Sequence, residues 1–430
     1  MMLAIAELYQ IYQQHPLVFT DSRKIIENGI YVALKGEHFD GNDFALDCLH
    51  NGAAFAVVDN PNLPYHPKLI QVKDSLLCLQ ELATYHRQQF NIPFIAITGS
   101  NGKTTTKELT AAVLQTQFNI SFTQGNLNNH IGIPLTILTI PNNIDIAIIE
   151  MGANHQNEIA GYCTIAQPTH GIITNCGKAH LEGFGGILGI RKGKGELYNY
   201  LAENNGIIFI NGKETYLLEM ALANKNKIMY NTNTSDFYLH VINQEPFLKV
   251  ALNLNSSEFE IQSQLVGEYN AANIITAATL GSFFGIENKN IKHAIENYCP
   301  NNNRSQLIDW KNNKVILDAY NANPSSMELA IIHFSKQKYK EKVLLLGAMK
   351  ELGEYSIEEH QKLVDLIKQF SWNLVCLVGA EFNHVQHPFK HFQHVQDLIL
   401  DLPNLHLTEK AILIKGSRST NMELIIKHGK

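Results

Sequence analysis

The sequence has few cysteines and no long apolar run. Its six cysteines lack the CxxC spacing typical of zinc and redox sites and lie far apart, in segments that read as buried. We therefore expect reduced core cysteines and a cytoplasmic protein. No uninterrupted apolar run approaches the ~18 residues of a membrane-spanning helix, so we expect no membrane span. The cysteines are Cys48, Cys78, Cys163, Cys176, Cys299 and Cys376.

The sequence is also poor in charge, with 17% charged residues and a formal net charge of -6. This acidic balance argues against a protein that binds nucleic acid mainly by electrostatic attraction, although a local site for a small anion remains possible. The start, MMLAIAELYQIYQQHPLVF, lacks the basic segment of a secretion signal and carries Glu7 in its apolar part, so it predicts an amphipathic helix. With 430 residues, 45% of them hydrophobic, the chain predicts about three domains.

Hydrophobic patterning divides the chain into three α/β units, which we expect at residues 1–90, 91–302 and 303–430. The first contains the short apolar runs GIYVALKG, AAFAVVD and KLIQV and the helical pattern LLCLQELATYHRQQF. The second contains PFIAIT, DIAIIEMG, HGIITNCG and GIIFING, which favour a mostly parallel, doubly wound sheet. From Asp236 to Val266 a period-two pattern predicts an antiparallel extension. The third alternates KVILDAY, KVLLLGAM, LVCLVG and AILIKGS with helices, which predicts a Rossmann-like domain.

The stretch IAITGSNGKTTTKEL predicts a phosphate-binding turn between a strand and a helix. Two glycines let backbone N–H groups point at an anion, and the start of the helix adds its positive dipole end. Lys103 would contact the outer phosphates, and the hydroxyl of Thr104 would ligate Mg²⁺. A full Walker A motif has glycine where this chain has Ile97, so an ordinary glycine turn is the alternative. The predicted nucleotide-binding residues are Gly99, Ser100, Asn101, Gly102, Lys103, Thr104 and Thr105.

A carboxylate follows the next buried strand, because DIAIIEMG ends in Glu150. Carboxyl ends of parallel strands lie at one edge of a sheet, so Glu150 is suited to ligate Mg²⁺ or to orient water beside the phosphate turn. Taken alone, Glu150 could equally be a helix-capping or solvated loop residue.

Several segments together carry a resemblance to a known family. They are TGSNGKTTTKE, GNLNNHIGIPLT, EMGANHQNEIA, ITNCGKAHLEGFGG, KGKGEL, DAYNANPSSM and KGSRSTNMELI, in this order along the chain. The sequence resembles the Mur ligases of peptidoglycan synthesis in these segments, from about residue 20 to the end. YNANPSSM further resembles the branch that joins D-alanyl-D-alanine to UDP-N-acetylmuramoyl-tripeptide, which gives the pentapeptide precursor of peptidoglycan.

The resemblance implies an ATP-dependent amide ligase that works through an acyl phosphate and releases ADP and phosphate. It implies two Mg²⁺ sites held by Thr104, Glu150, His180 and Lys194, with Lys103, Glu150, His180 and Lys194 as the catalytic set. Lys194 lies fourteen residues after His180, the family's spacing for a lysine that carries a carbamate. Without the resemblance, His180 reads as a core histidine and RKGKGE as a solvated basic run.

The resemblance also implies binding residues for three substrates. Adenosine and the ATP phosphates would be contacted by Asn273, Arg304 and Asp318; an alternative for the last two is a surface ion pair. The muramoyl peptide would meet Asn126, Asn128 and Asn129, although Asn-rich loops are often turns. The uridine diphosphate would bind the first unit, and the dipeptide the third. The residues expected there are Ser22, Arg23, Lys35 and Asp40 for the first and Asn321, Asn323 and Ser325 for the third.

Some positions depart from the family pattern or fall outside it. Ala348 stands where Asp is usual, and Tyr269 where His is more usual, so a polar contact near the amine and the adenine pocket are affected. Four histidines near the end have helix-like spacing, but Pro388 interrupts them and no carboxylate or cysteine joins them. We therefore expect a solvated loop or edge rather than zinc. The histidines are His384, His387, His391 and His394.

Three other readings remain open at this point. A folylpolyglutamate-type ligase shares the central and third units, but its phosphate turn comes near the start of the chain, whereas ~90 residues precede it here. A P-loop ATPase that acts as a switch would hydrolyse ATP without any amine. A degenerate scaffold would not need Lys103, Glu150, His180 and Lys194. We expect a monomer whose third unit closes over the second about residues 300–303.

Overall fold

The computed structural model of the protein describes residues 4–232, 234–300 and 303–428. Its strands form two six-stranded sheets, one four-stranded sheet, one three-stranded sheet and a two-stranded hairpin. The predicted multi-domain α/β fold with mainly parallel sheets is confirmed. The boundaries proposed from the sequence stay a prediction, and residues 301 and 302 of the expected hinge lie outside the described part. Among the described residues, no helix has the length and apolar character of a membrane span.

The first unit is a small parallel sheet with helices and a hairpin. Its elements are α1 (Ile5–Gln14), β1 (Val18–Phe19), β2 (Ile30–Val32), β3 (Lys35–Gly36), β4 (Phe39–Asp40), α2 (Ala45–His50), β5 (Phe55–Val58), β6 (Leu69–Gln71) and α3 (Ser75–Arg87), with a 3-10 turn at Gly41–Phe44. The sheet order is β1-β2-β5-β6, all parallel. Asp74 caps α3 by accepting a hydrogen bond from the Leu77 N–H, and the apolar side of α3 is buried.

The second unit is built around a parallel sheet of six strands. Its elements up to the sheet's last strand are β7 (Phe94–Thr98), α4 (Lys103–Leu114), β8 (Ile120–Phe122), α5 (Gly132–Leu138), β9 (Ile146–Glu150), α6 (Glu158–Ala166), β10 (His170–Ile173), α7 (Leu181–Phe184), α8 (Ile187–Glu203), β11 (Ile207–Asn211), α9 (Thr215–Met220) and β12 (Asn226–Tyr230). The sheet order is β12-β11-β10-β7-β9-β8. Because β9 and β10 lie on opposite sides of β7, the carboxyl end of β7 is a topological switch point, where ligands bind in such sheets.

An antiparallel meander and two helices complete the second unit. They are β13 (Phe237–Asn243), β14 (Lys249–Leu254), β15 (Ser257–Gln262), α10 (Asn270–Phe283) and α11 (Asn288–Asn297). β14 alternates between buried and half-buried residues, as the period-two pattern predicted. Its apolar residues and those of α10 join the core under α4, so the meander braces the helix that follows the phosphate turn.

The third unit is a six-stranded sheet of mixed direction. Its elements are β16 (Gln306–Trp310), β17 (Asn313–Asp318), α12 (Pro324–Lys336), β18 (Lys342–Gly347), α13 (Ser356–Ile367), β19 (Leu374–Val378), β20 (Lys390–Phe392), α14 (Val395–Asp401), β21 (Ala411–Lys415) and α15 (Leu424–His428), with 3-10 turns at Gly353–Tyr355, Ala380–His384, Leu402–Leu405 and Arg418–Thr420. The order is β16-β17-β21-β18-β19-β20, and only the β16–β17 pair is antiparallel.

Candidate active site

A cavity of about 900 Å³ lies between the second and third units. Residues after the carboxyl ends of β7, β9 and β10 line one side, and residues after β17 and β21 line the other. This volume is within the range of small-molecule sites. The residues predicted from the sequence that line it are Ser100, Asn101, Gly102, Lys103, Thr104, Thr105, Asn126, Asn128, Asn129, Glu150, His180, Asn273, Arg304, Asp318, Asn321, Asn323 and Ser325.

The phosphate turn has the backbone conformation that requires glycine. Gly102 has a φ of 80° and begins α4, and a Cβ placed there would lie 2.5 Å from Oδ1 of Asn273. Gly99 has a φ of 142°, and its Cβ would lie 2.0 Å from Oγ1 of Thr174. Any side chain would therefore be strained at both positions and would collide with a neighbour. The turn leaves its backbone and the start of α4 facing the cavity, as an anion site requires.

The loop after β10 holds the phosphate turn in place. The backbone N–H of Ser100 donates to the Asn175 carbonyl at 2.9 Å, and its hydroxyl donates to the Gly177 carbonyl at 2.7 Å. Thr174 Oγ1 donates to the Asn101 carbonyl at 2.6 Å. Sequence reasoning did not select Thr174 or Asn175, although they directly follow a strand that it did predict. Their position after the strand next to β7 is the signal that could have found them.

The lysine of the turn is folded back onto the turn itself. Nζ of Lys103 donates to the carbonyl oxygens of Gly99 at 2.6 Å and Ser100 at 3.2 Å. Burial lowers the pKa of Lys103 to about 8, since desolvation of the ammonium outweighs the attraction of Glu150. An anion in the cavity would offer this desolvated ammonium a charged partner in place of two neutral carbonyls.

Glu150 ends β9 and is only 1% exposed. Its Oε1 accepts a hydrogen bond from Nδ2 of Asn128 at 2.7 Å, whereas its buried Oε2 has no hydrogen-bond partner. Nζ of Lys107 lies 3.8 Å from Oε2. A buried carboxylate oxygen without a donor is costly unless a cation is near, so this atom fits a metal ligand beside Thr104.

Lys107 is a residue of this site that sequence reasoning missed. It is 1% exposed, and its Nζ donates to the Thr123 carbonyl at 2.7 Å. Burial lowers the pKa of Lys107, and the nearby carboxylate of Glu150 opposes that shift. Lys107 follows Lys103 by four residues, so both lie on one face of α4. That spacing alone does not mark Lys107 as part of the site, because its carboxylate partner Glu150 lies 43 residues away in the chain.

His180 directly precedes α7 and lines the cavity. Nδ1 of His180 contacts Oε2 of Glu351 from the third unit. This contact is the main reason that the pKa of Glu351 lies below its usual value. His180 would have to release Glu351, or use its other ring nitrogen, to hold a metal. Among the described residues, no three His, Cys, Asp or Glu side chains converge as a metal site.

Lys194 lies in α8, behind the wall of the cavity rather than on its lining. It is 1% exposed, and its Nζ donates to the Ala153 carbonyl at 3.2 Å and lies 4.9 Å from the ring centroid of Phe184. Burial, and secondarily the charge of Lys103, lower the pKa of Lys194 to about 7. Its amine is therefore more readily neutral than a solvated lysine amine, which a reaction with CO₂ requires.

The third unit contributes cations and the carboxylates of Asp318 and Glu351 to the cavity. The guanidinium of Arg304 stacks 3.7 Å over the Tyr320 ring. Oδ2 of Asp318 accepts a hydrogen bond from Nζ of Lys415 at 2.5 Å, and its Oδ1 accepts one from the Ser305 N–H at 3.2 Å. Arg304 and Asp318 are thus not paired with each other. Lys415, a lysine at the end of the apolar strand AILIK, lines the cavity and was also missed by sequence reasoning.

Asn273 and the third-unit residues expected near the dipeptide make contacts within the protein. Oδ1 of Asn273 accepts a hydrogen bond from Oγ1 of Thr106 at 3.0 Å. Asn323 caps α12, and its Nδ2 donates to Oδ1 of Asn101 at 2.8 Å. Oγ of Ser325 accepts a hydrogen bond from the Lys178 N–H at 2.9 Å. The side chain of Asn321 accepts a hydrogen bond from the N–H of the residue that follows it.

The Asn-rich loop is partly a turn and partly a wall of the cavity. Oδ1 of Asn129 accepts hydrogen bonds from two N–H groups at the start of α5, at 3.2 and 2.9 Å. Asn129 is therefore engaged by the turn, as the alternative reading proposed. Asn128 holds Glu150, and Asn126 is exposed and lines the cavity.

The first-unit residues predicted for uridine diphosphate do not line this cavity. Arg23 is exposed and its Nε donates to Oδ1 of Asp21 at 2.8 Å, one residue from Ser22. Nζ of Lys35 lies 2.9 Å from a carboxylate oxygen of Asp59. Asp40 caps the 3-10 turn that follows β4. The role of these residues stays a prediction.

The positions that depart from the family pattern, and the four histidines, differ in burial and in their relation to the cavity. Tyr269 lines the cavity, and its hydroxyl lies 2.7 Å from the Ser305 hydroxyl across the two units. Ala348 is fully buried after β18 and does not line the cavity. Among the four histidines, His391 lies in β20 at the sheet edge, and its ring centroid is 5.6 Å from that of His387.

The fold and the cavity define a class of α/β protein in which a glycine turn at the end of one parallel sheet faces a second sheet across a shared cavity. Residues 97–281 match the Mur ligase middle domain and residues 303–418 the Mur ligase, glutamate ligase domain. The chain is 36% identical over 423 residues to the UDP-N-acetylmuramoyl-tripeptide--D-alanyl-D-alanine ligase of Escherichia coli (strain K12), covering 95% of this chain and 92% of that protein. The chain therefore belongs to the Mur ligase family, and it is an ATP-dependent ligase.

Solved structures agree with this assignment over almost the whole chain. MurF ligase from Thermotoga maritima in complex with ADP has a TM-score of 0.86 at 25% identity, covering 96% of each chain. MurF from Acinetobacter baumannii has a TM-score of 0.85 at 29% identity, covering 95% of this chain and 92% of that chain. The similarity includes the first unit, which a folylpolyglutamate-type ligase would not account for.

Proposed function

We propose that the protein joins D-alanyl-D-alanine to UDP-N-acetylmuramoyl-tripeptide, releases ADP and phosphate, and so forms the pentapeptide precursor of peptidoglycan. The similarity to an enzyme of that name extends over 95% of the chain. The observation that carries the proposal is the arrangement of the cavity, where the phosphate turn and the open oxygen of Glu150 face cationic groups of a second sheet. Such a cavity can hold two anions close together and bring an amine to them.

The reaction has two steps, phosphoryl transfer and amide formation. A carboxylate oxygen of the tripeptide attacks the γ-phosphorus of ATP, the bond to the bridging oxygen breaks, and ADP leaves with the electron pair. The amine nitrogen of the dipeptide then attacks the acyl carbon, a C–N bond forms, phosphate leaves, and a proton of the amine is released. Lys103 and Arg304 offset the negative charge that gathers during phosphoryl transfer, and the glycine turn orients the phosphates.

The donor set fits divalent cations. Thr104 and Glu150 would hold one Mg²⁺, since Oε2 of Glu150 is buried without a hydrogen bond. His180 and Lys194 would hold a second. The metal, when bound, would neutralise phosphate charge. We propose that Lys194 carries a carbamate: its neutral nitrogen attacks the carbon of CO₂, an N–C bond forms, one C–O π bond becomes an oxygen lone pair, and a proton is lost to solvent. The low pKa of Lys194 supports this step.

Substrate placement follows the three units. Ser22, Arg23, Lys35 and Asp40 would contact the uridine diphosphate, Asn126 and Asn128 the muramoyl peptide, and the rim around Asn321 the dipeptide. We propose that the protein acts as a monomer in the cytoplasm, where ATP is available. Its described cysteines are all free thiols, in keeping with a reducing compartment.

An ADP-release assay tests this function. It would contain the tripeptide nucleotide, ATP and Mg²⁺, with a panel of amines that includes D-alanyl-D-alanine, D-alanine and L-alanyl-L-alanine. We expect ADP release that needs both the nucleotide and D-alanyl-D-alanine, and a product heavier by the dipeptide less water. Robust ADP release with neither substrate would instead favour a P-loop switch, and preference for another amine would overturn the proposed specificity.

A further inference from the structure

Lys178 joins the second unit to the third. Nζ of Lys178 donates to Oε1 of Glu359 in α13 at 2.8 Å, and its backbone N–H donates to Oγ of Ser325 in α12 at 2.9 Å. One residue of the second unit therefore contacts two helices of the third. Its neighbour Gly177 packs closely on Ser325, since a Cβ on Gly177 would lie 2.9 Å from that hydroxyl oxygen.

The same segment is bonded to the phosphate turn. The Gly177 carbonyl accepts the hydroxyl of Ser100 at 2.7 Å, and the Asn175 carbonyl accepts the Ser100 N–H at 2.9 Å. Residues 175–178 thus connect the turn to α12 and α13 through short hydrogen bonds. Lys178 therefore lies three residues along the chain from Asn175, which is bonded to the turn.

The two charges of the pair differ in their access to water. The side chain of Glu359 is 6% exposed, whereas that of Lys178 is 43% exposed. A buried carboxylate without its cation is costly, while a half-exposed ammonium without its anion is still solvated. Lys362 also contacts Glu359, at 3.2 Å, but it belongs to the same helix and stays with Glu359 wherever the third unit moves.

We propose that Lys178 is a positioning residue that holds the third unit closed over the nucleotide cavity by compensating the buried charge of Glu359. The pair forms only when the two units meet, so it stabilises the closed arrangement relative to an open one. The role of closure in catalysis rests on the proposed function, whereas the closure itself does not. The side chain of Lys178 contacts Glu359, which does not line the cavity, and the backbone N–H that contacts Ser325 is kept in any substitution. The side chain therefore acts on the population of the closed state.

A double-mutant cycle with a distance readout tests this inference. Spin labels at two exposed positions, Ser257 in β15 and Asn404 in the third unit, would report the separation of the units by pulsed electron resonance in a Cys299→Ser background. The variants are Lys178→Met, Glu359→Gln and the double substitution. Lys249→Met is the matched control, because Lys249 forms a 2.6 Å pair with Glu260 inside the meander.

The burial difference predicts an asymmetric cycle. Lys178→Met should raise the open-to-closed ratio about tenfold, because the buried carboxylate of Glu359 then keeps only Lys362, a partner that it also has in the open state. Glu359→Gln should raise it only about twofold, and the double variant should resemble Glu359→Gln, so that the second substitution repairs the first. Lys249→Met should leave the ratio unchanged. With the ligase assay, Lys178→Met should raise KM for ATP at unchanged kcat, since saturating nucleotide restores closure.

Three results would overturn the inference: an unchanged distance distribution in Lys178→Met, an equal shift in Lys249→Met, or a double variant as open as Lys178→Met. Thermal melts should show that every variant is folded, with a parent-like melting temperature for Lys249→Met. If the cycle behaves as expected but no amine supports ADP release, the proposed function alone fails.

Discussion

The second unit meets its two neighbours in different ways. Toward the first unit, α3 buries His86 and Arg87, whose side chains bind backbone carbonyls of the second unit. Toward the third unit, it faces a cavity of about 900 Å³ whose rim is joined by side-chain pairs such as Asn101–Asn323 and Lys178–Glu359. Buried bonds to the backbone fix an interface, whereas side-chain pairs around a cavity can break and reform. We infer a stable first-to-second pair and a third unit that closes on it.

Arg87 shows how the fixed interface is held. Its guanidinium donates to the carbonyls of Ala166 at 2.8 Å, Gln167 at 2.8 Å and Phe90 at 2.9 Å, and it stacks 3.7 Å over the Phe94 ring. Burial lowers the pKa of Arg87 to about 10, which still leaves it charged at neutral pH. These bonds lie beside the chain connection into β7, so they fix the orientation of the first unit relative to the second.

The largest effect is expected at the cavity, from Lys103→Met. The substitution removes the ammonium of the phosphate turn, which we propose contacts the ATP phosphates, so kcat should fall about 10³-fold or more, as for other losses of electrostatic stabilisation. Stability should not fall, because a desolvated ammonium is replaced by an apolar chain of similar length. Steady-state kinetics and a thermal melt check both parts. Residual activity within tenfold of the parent would contradict the role of Lys103.

The next effect is expected at the fixed interface, from Arg87→Met. The substitution leaves three carbonyls without their donor and removes a buried stacking contact, so the free energy of unfolding should fall by about 3 kcal/mol. The folded fraction should keep the parent's KM values, because Arg87 is far from the cavity lining. Urea titration measures the free energy of unfolding, and kinetics at low temperature measure the KM values. Lys24→Met, at an exposed position, is the control and should change neither.

A smaller effect is expected at the closing interface, from Asn323→Ser. Serine still caps α12 but is too short to donate to Asn101, so only the bridge between the units is lost. KM for ATP should rise about threefold, with stability unchanged, as for one hydrogen bond. Asn323→Ala removes the cap as well and should lower stability. Equal kinetics for the parent and Asn323→Ser would show that this bridge does not support closure.

The smallest effect is a pH dependence of the fixed interface. Burial lowers the pKa of His86 below its usual value of 6.5, while its ring contacts the Tyr9 hydroxyl at 3.0 Å and the Ile140 carbonyl at 3.0 Å. The unfolded chain then binds a proton that the folded chain does not, so stability should fall as the pH falls below 6.5. His86→Gln should reduce this loss, as measured by urea titration between pH 5 and 7.5. Part of the loss of stability should remain in His86→Gln, because burial also lowers the pKa of His170, to about 4.

Local pattern predicted the central strands and missed many edge strands. β7, β9, β17 and β18 are buried along almost their whole length, so each appears as a continuous apolar run. The strands without a signal are at sheet edges, where one side meets solvent and polar residues interrupt the run. Those edge strands are β1, β8, β12, β16 and β20.

The residues of the candidate site also divide into those that the sequence predicts and those that it does not. The phosphate turn depends on neighbouring residues, so its glycines, its lysine and Thr104 could be named from the sequence. Lys107 and Lys415 could not be named from the sequence, because a buried lysine is recognised only once its carboxylate partner is known. The partner of Lys107 is Glu150, 43 residues away in the chain. The partner of Lys415 is Asp318, 97 residues away.

By itself, the sequence determined the order of strands and helices, the anion-binding turn and the family, because each depends on residues close together in the chain or on their order along it. The tertiary structure decided which side chains meet: that Glu150 keeps one oxygen open, that His180 contacts Glu351, and that Lys178 reaches Glu359. Such pairs join segments far apart in the chain, and the free energy that selects them comes from packing and desolvation in the folded state.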